Sequence, residues 1–190
     1  MSVTVRPATP ADVPAVLPMV RALCDMHEAW DAERYGMLDD VVARYERWLP
    51  QRAVDVRSVF LVAEGDEFAG ETGRPLPPPR SPRRGEHSSP GGGGSSRLIG
   101  FLIATIEPNI PIYRLTEFGF IHDVWVEPEA RKRGVARVLV VEALRRFEGL
   151  GVRQVRLETA AANEAARGLF ASCGFRVGTV DMLATLPRPG

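Results

Sequence analysis

The residues most able to do chemistry run Val124-Trp125-Val126-Glu127-Pro128-Glu129-Ala130-Arg131-Lys132-Arg133-Gly134-Val135-Ala136. An apolar strand ends, a basic turn follows, and a glycine opens a helix that continues through Arg137. The N–H groups in the first turn of a helix have no internal partner and sit at the positive end of its dipole, so they can bind an anion. Gly134 removes the Cβ that would block a phosphate, the small Ala136 keeps the first turn open, and Arg131, Lys132 and Arg133 add positive charge. The result is a diphosphate cradle made of main chain. A basic turn capping an ordinary strand–helix unit would use the same residues, and the short run alone does not separate the two. A nucleotide P-loop is excluded because Gly-Lys-Ser/Thr is missing, and a dinucleotide fingerprint because GxGxxG is absent.

A strand must end and a helix begin at this point, and the surrounding pattern supplies both. Glu117 to Val126 reads as a largely buried strand closed by Pro128. Gly134 to Leu150 reads as a helix with the stripe Leu139, Val140, Ala143, Leu144, Phe147 and Leu150, stopped by Gly151. Val152 to Thr159 alternates as a strand, Asn163 caps a helix running to about Ser172, and Val180 to Leu186 is expected as a last short strand. Upstream, Val3 and Val5 suit an edge strand ending at Pro7. Thr9-Pro10-Ala11-Asp12 is a helix start, followed by Val13, Val16, Leu17, Val20, Leu23 and Cys24 on one face. Pro18 predicts a kink or break in that helix. A second helix is expected from Leu38 to Leu49, then strands Ser58 to Glu64 and Arg97 to Glu107. Between those strands, about 69–96 is Gly, Pro, Ser and Arg with little to bury, and is expected to be a disordered insertion in an expanded hairpin loop. The order gives an α/β fold with a mixed sheet, read as a single domain over 1–190.

Composition narrows the classes. With 190 residues, 24 Lys+Arg against 24 Asp+Glu and 45% hydrophobic residues, the chain is long enough for its own core and lacks the basic excess of a nucleic-acid binder. Cys24 and Cys173 form no CxxC pair, so reduced thiols, no disulfide framework and no metal site are expected. The N-terminus has no signal-peptide pattern, and nowhere do about 18 apolar residues run together. A cytoplasmic protein with no membrane partner is expected.

The run Val126 to Ala136, Val-x-Pro-Glu-x-Arg-x-x-Gly-x-Ala, resembles the acetyl-CoA motif of the GNAT (GCN5-related N-acetyltransferase) superfamily. Asn163 to Phe175 is similar to the family's Asn-x-x-Ala…Leu-Tyr-x-x-x-Gly-Phe helix, and Val5 to Asp12 to its first strand and helix start. The resemblance covers nearly the whole chain apart from the insertion. It implies a mostly antiparallel central sheet flanked by helices, with acetyl-CoA as cosubstrate and an amine as acceptor. It also implies that main-chain groups of Val124, Trp125 and Val126 pair with the pantetheine arm, that N–H groups from Lys132 to Arg137 hold the diphosphate, and that Asn163 contacts the cofactor. A homodimer through the sheet edge is compatible with the family and unproven by this chain.

Acyl transfer to an amine needs a base for the ammonium and a donor to the thioester oxygen. The candidate donor is the N–H of Val126 or its neighbour Trp125. The candidate bases are His122, Asp123 and Glu158, and strand alternation lets only one of His122 and Asp123 face the cleft. Phe170 stands where the family usually places the Tyr that protonates the thiolate, so the acid is unassigned. This departure leaves a non-catalytic acyl-CoA-binding module as the alternative, and the Arg/Pro-rich insertion allows a third reading as an interaction protein. His27, Glu28, Trp30, Asp31 and Tyr35 cluster where the acceptor would enter. Aromatics with carboxylates could receive a cationic amine, or could equally be packing between two helices.

Overall fold

The computed structural model describes residues 3–65 and 97–186. The expected insertion at 69–96 lies outside the described residues. Strand β1 (Val3–Pro7) leads through a 3-10 turn (Pro10–Asp12) into helix α1 (Val13–Trp30), a short α2 (Ala32–Tyr35) and α3 (Val41–Val54). Strands β2 (Ser58–Gly65), β3 (Arg97–Pro108) and β4 (Glu117–Val126) follow, then a 3-10 turn (Pro128–Ala130), α4 (Val135–Gly149), β5 (Val155–Leu157) and α5 (Glu164–Ser172). The five strands lie in sequence order, with antiparallel neighbours from β1 to β4 and a parallel pair β4–β5.

Both faces of this sheet are covered. Leu61, Leu102, Ala104 and Ile121 pack against Leu139, Val140, Ala143 and Phe147 of α4 and Phe170 of α5. Phe60, Val62, Phe101, Ile103 and Trp125 pack against Val16, Val20 and Leu23 of α1 and Leu49 of α3. Residues 99–104 of β3 are therefore buried without interruption, as a strand covered on both sides requires. Gly119 lies under the Phe147 ring, where a Cβ would stand 2.9 Å from two ring carbons.

Three expectations change. Helix α1 runs unbroken through Pro18. Pro18 is exposed while Val16, Met19 and Val20 are buried, so the missing hydrogen bond falls on the solvent face, where water can serve the carbonyl. The second helix is α3, starting at Val41 and extending to Val54 past Pro50. The final strand at 180–186 does not form. Its alternation has no strand beside it, and α2 holds the segment instead, Asp181 by Arg34 at 2.7 Å and Thr185 by Glu33 at 2.6 Å.

Candidate functional site

Strand β4 carries the site, and one irregularity in it decides where side chains point. Ile103 of β3 opposes Asp123, while the next residue, Ala104, opposes Ile121. His122 is thus an extra residue, a β-bulge, which interrupts alternation. Asp123 takes a 2.8 Å hydrogen bond from the Tyr45 hydroxyl on α3, and His122 lies edge-on to Trp48, also on α3, with ring centroids 5.5 Å apart. His122 and Asp123 therefore face the same side, which corrects the expectation that only one could.

The bulge also sets the main chain. Glu127 donates its N–H to the Ile99 carbonyl of β3 at 2.9 Å. The N–H and C=O of one residue share an edge and alternate along a strand, so those of Trp125 also face β3 and those of Val124 and Val126 face the other edge. On that edge β5 pairs with Gly119, Phe120 and Ile121 and stops. Among the described residues no strand covers Val124 and Val126. The Val126 carbonyl takes a 2.9 Å bond from Arg131 Nε, and the Arg131 guanidinium lies 4.7 Å from the centroid of the Trp125 ring. Arg131 thus fixes the turn to the strand end.

Beyond the turn, Lys132 has φ of 61° and Gly134 has φ of 83° as the residue before α4. A Cβ at Gly134 would meet nothing within 4 Å, so open space adjoins it. The first main-chain bond of α4 runs from Val138 N–H to the Gly134 carbonyl. The N–H groups of Gly134, Val135, Ala136 and Arg137 are left without main-chain acceptors among the described residues, as in the first turn of any helix. Val135 is core, and the Arg137 side chain turns away to Ser172 on α5, at 3.0 Å to its carbonyl and 2.9 Å to its Oγ. Asn163 caps α5 by accepting from Ala166 N–H at 3.0 Å.

The titratable groups differ sharply in setting. Burial pushes the Asp123 carboxyl up to about 6 despite the Tyr45 bond, and the neighbouring Cys24 thiol up to about 11. Burial also holds His122 below the ordinary 6.5, opposed by Glu107 and reinforced by Arg52. Its Nε2 lies 2.6 Å from Thr105 Oγ1. Glu158 is not brought to either residue: exposed at the end of β5, it pairs with Arg34 at 3.3 Å. His27 stacks on Tyr35 at 5.0 Å and meets Trp30 at 5.5 Å, so these aromatics pack on one another, while Glu28 is exposed. Phe170 is buried against Phe175, with ring centroids 5.6 Å apart. The shallow depression of about 320 Å³ between Pro7, Asp55, Phe60 and Arg146 contains none of the candidate residues.

Sequence reasoning missed Thr105, Glu107, Tyr45 and Trp48. Thr105 and Glu107 carried a readable signal: polar residues two apart at the end of an otherwise apolar strand share a face.

A five-stranded, mostly antiparallel sheet flanked by helices, whose fourth strand ends at a basic turn and an open helix N-terminus, has the architecture of the GNAT fold. Residues 82–175 match the model of the acetyltransferase (GNAT) family. Over those residues, just under half of the chain, the protein is similar to the GNAT family, whose general chemistry is acetyl transfer. No curated protein sequence matches it. Among solved structures it is similar to a GCN5-related N-acetyltransferase from Ralstonia eutropha at 18% identity, with TM-score 0.64 over 97% of this chain and 99% of that one. It is also similar to the aminoglycoside antibiotic 6'-N-acetyltransferase AAC(6')-Ih from Acinetobacter baumannii, at 15% identity and TM-score 0.63 over 100% of both chains. A third is AAC(6')-Iy in complex with the bisubstrate analogue CoA-S-monomethyl-acetylneamine, at 16% identity and TM-score 0.63 over 99% of this chain and 100% of that one. These likenesses establish the fold. Among the described residues no helix is long and apolar enough to cross a membrane.

Proposed function

We propose that the protein is a cytoplasmic N-acetyltransferase that moves the acetyl group of acetyl-CoA to a primary amine, on a small molecule or a protein, by direct attack in a ternary complex. The observation that carries this reading is the uncovered β4 edge at Val124 and Val126 running into the open N-terminus of α4 at Gly134. The edge suits the amide groups of a pantetheine arm added as a strand. The free N–H groups of Gly134 to Arg137 suit a diphosphate, with Lys132 and Arg133 adding charge. Asn163, spent as a helix cap, would touch the cofactor only through its position.

The thioester oxygen would be polarised by the Val126 N–H, which points to the uncovered edge, rather than by that of Trp125, which faces β3. His122 is the favoured base, being half-exposed and neutral at physiological pH. Asp123 is buried against Tyr45 and acts less directly, and Glu158 is engaged by Arg34. In the step, the ammonium N–H bond breaks toward His122, its electron pair remains on nitrogen, and the amine attacks the thioester carbon. The coenzyme A thiolate then leaves. Phe170 cannot protonate it, so water carries to it the second proton, which the attacking nitrogen sheds as the amide forms. His27, Trp30 and Tyr35 would shape the acceptor entrance from α1 and α2, with Glu28 at its rim.

The test is calorimetric titration of the protein with acetyl-CoA beside a Gly134→Glu variant, then a screen of amines by thiol release. Saturable binding that disappears in the variant is expected, followed by amine-dependent release. No binding by the wild type would overturn the cofactor site. The buried Phe170 gives a second reading, an acyl-CoA-binding module without turnover, and binding with no thiol release for any amine would favour it.

A further inference from the structure

Thr105 on β3 is 5% exposed, and its Oγ1 touches two groups, Glu107 Oε1 at 2.5 Å and His122 Nε2 at 2.6 Å. Glu107 Oε1 is also 3.7 Å from His122 Nε2. The imidazole plane is held by the edge-on rings of Trp48 and Phe120, with centroids 5.5 Å and 5.1 Å away. A threonine hydroxyl has one proton and two lone pairs, and an ionised carboxylate can only accept. The single Thr105 proton must therefore go to Glu107, and Oγ1 is left to accept from His122. That requires a proton on Nε2. Among the described residues no hydrogen bond engages Nδ1.

We propose that Thr105 and Glu107 are positioning residues that hold His122 as the Nε2–H tautomer, making Nδ1 the atom that takes the acceptor's proton. The proton-transfer half rests on the N-acetyltransferase reading above; the tautomer half does not. When the ammonium N–H bond breaks and the Nδ1–H bond forms, the positive charge appears on a ring whose other nitrogen already donates to Thr105. The carboxylate behind Thr105 then stabilises that charge, so the pair works on the protonated state without touching substrate. The charged groups facing the ring are Glu107 from β3 and Arg52 from α3. Asp123, next in sequence, is bonded to Tyr45, and Arg156 of β5 lies over Phe118, 3.8 Å from its ring centroid.

Nitrogen-15 NMR of the full-length protein tests this without substrate. The chain has three histidines, so a His122→Gln spectrum assigns the signal. The wild type should show Nε2 protonated and Nδ1 bare. Glu107→Gln and Thr105→Val should each lower the proton affinity of His122 by about three- to tenfold, because each removes support for the imidazolium. Thr105→Ser should restore it. In turnover, the acid limb of kcat/KM should move to lower pH in Glu107→Gln by the same amount. A wild-type spectrum with the proton on Nδ1, or a His122 titration unmoved by Glu107→Gln, overturns the proposal. An Nε2–H spectrum with no acyl transfer to any amine would leave the tautomer standing and overturn the base role together with the reading it rests on.

Discussion

Asp123 shows at the scale of one residue how a bulge can place a carboxyl where its charge is unwelcome. Its neighbours are the Tyr45 hydroxyl, which donates to it, and the buried Cys24 thiol. Burial raises the folded carboxyl to about 6 from an ordinary 3.8. The folded chain then holds a proton that the unfolded chain has already released. Stability therefore falls as pH rises from the lower of these values through the higher, by roughly 3 kcal/mol on the usual conversion of a shift into free energy. Asp123→Asn keeps an acceptor for Tyr45 and carries no charge. Its unfolding free energy should gain on the wild type as pH rises from 4 to 7 and level off above. Denaturant melts at three pH values check this, and a gap that does not change with pH would mean the carboxyl is better solvated than its position implies. The sequence named His122 and Asp123 as neighbours of the site. It could not show them sharing a face, because nothing in either side chain announces an extra residue in the β3–β4 register.

At the scale of elements, one arginine ties the start of the sheet to the start of α1. Arg6 on β1 bonds Asp12 through both terminal nitrogens at 2.8 Å each, and Glu64 of β2 through Nε at 2.8 Å. Asp12 also accepts from the Thr9 N–H at 2.7 Å, so the residue that turns the chain into the helix is fixed by the strand. The Arg6 bond holds the Asp12 carboxyl well below the usual carboxylate range. A depressed carboxyl contributes stability above its unfolded value and loses it only as pH falls through the folded one. Arg6→Met should therefore cost about 2 kcal/mol at neutral pH, the scale of a bidentate charge-assisted contact that leaves two carboxylates behind. The deficit should hold down to the ordinary 3.8 of Asp12 and narrow below it. Thermal melts of both proteins across that range measure it. The sequence foretold this helix start from Thr9, Pro10 and Asp12, since those signals are local. Of the kink or break it allowed at Pro18 the break does not occur, because the cost depends on which face meets water, and it failed at 180–186, where a strand needs a partner that periodicity cannot supply.

For the molecule as a whole, the sheet separates two apolar layers, and the site draws on both: Val126, Ala130 and Val135 lie in the layer beneath α4, while Trp125 lies in the layer beneath α1 and α3. Phe101 is fully buried there, directly across from Trp125 on the neighbouring strand. Trp125 in turn carries the Arg131 guanidinium, whose Nε holds the Val126 carbonyl at the strand end. The order of strands and helices, and the motif from Val126 to Ala136, were legible because amphipathic stripes, helix stops and a glycine with open space around it are written locally. The chain of support behind the motif was not, because it joins Phe101 of β3 to the run from Trp125 to Arg131, two segments that meet only after folding. That chain makes a prediction no local reading contains. Phe101→Ala should cost about 3–5 kcal/mol of stability, the range for truncating a buried phenylalanine in a close-packed core. It should also weaken acetyl-CoA binding although Phe101 lies below the surface that would bind it, because a loosened Trp125 releases Arg131 and the strand end with it. Leu61→Ala, on β2 in the opposite layer and two strands from β4, should cost a comparable amount in stability with a smaller loss of affinity. Paired denaturation and calorimetric titrations separate the two effects. Equal losses of affinity in both variants would mean the cofactor responds to global stability alone, and that Trp125 and Arg131 transmit nothing of their own.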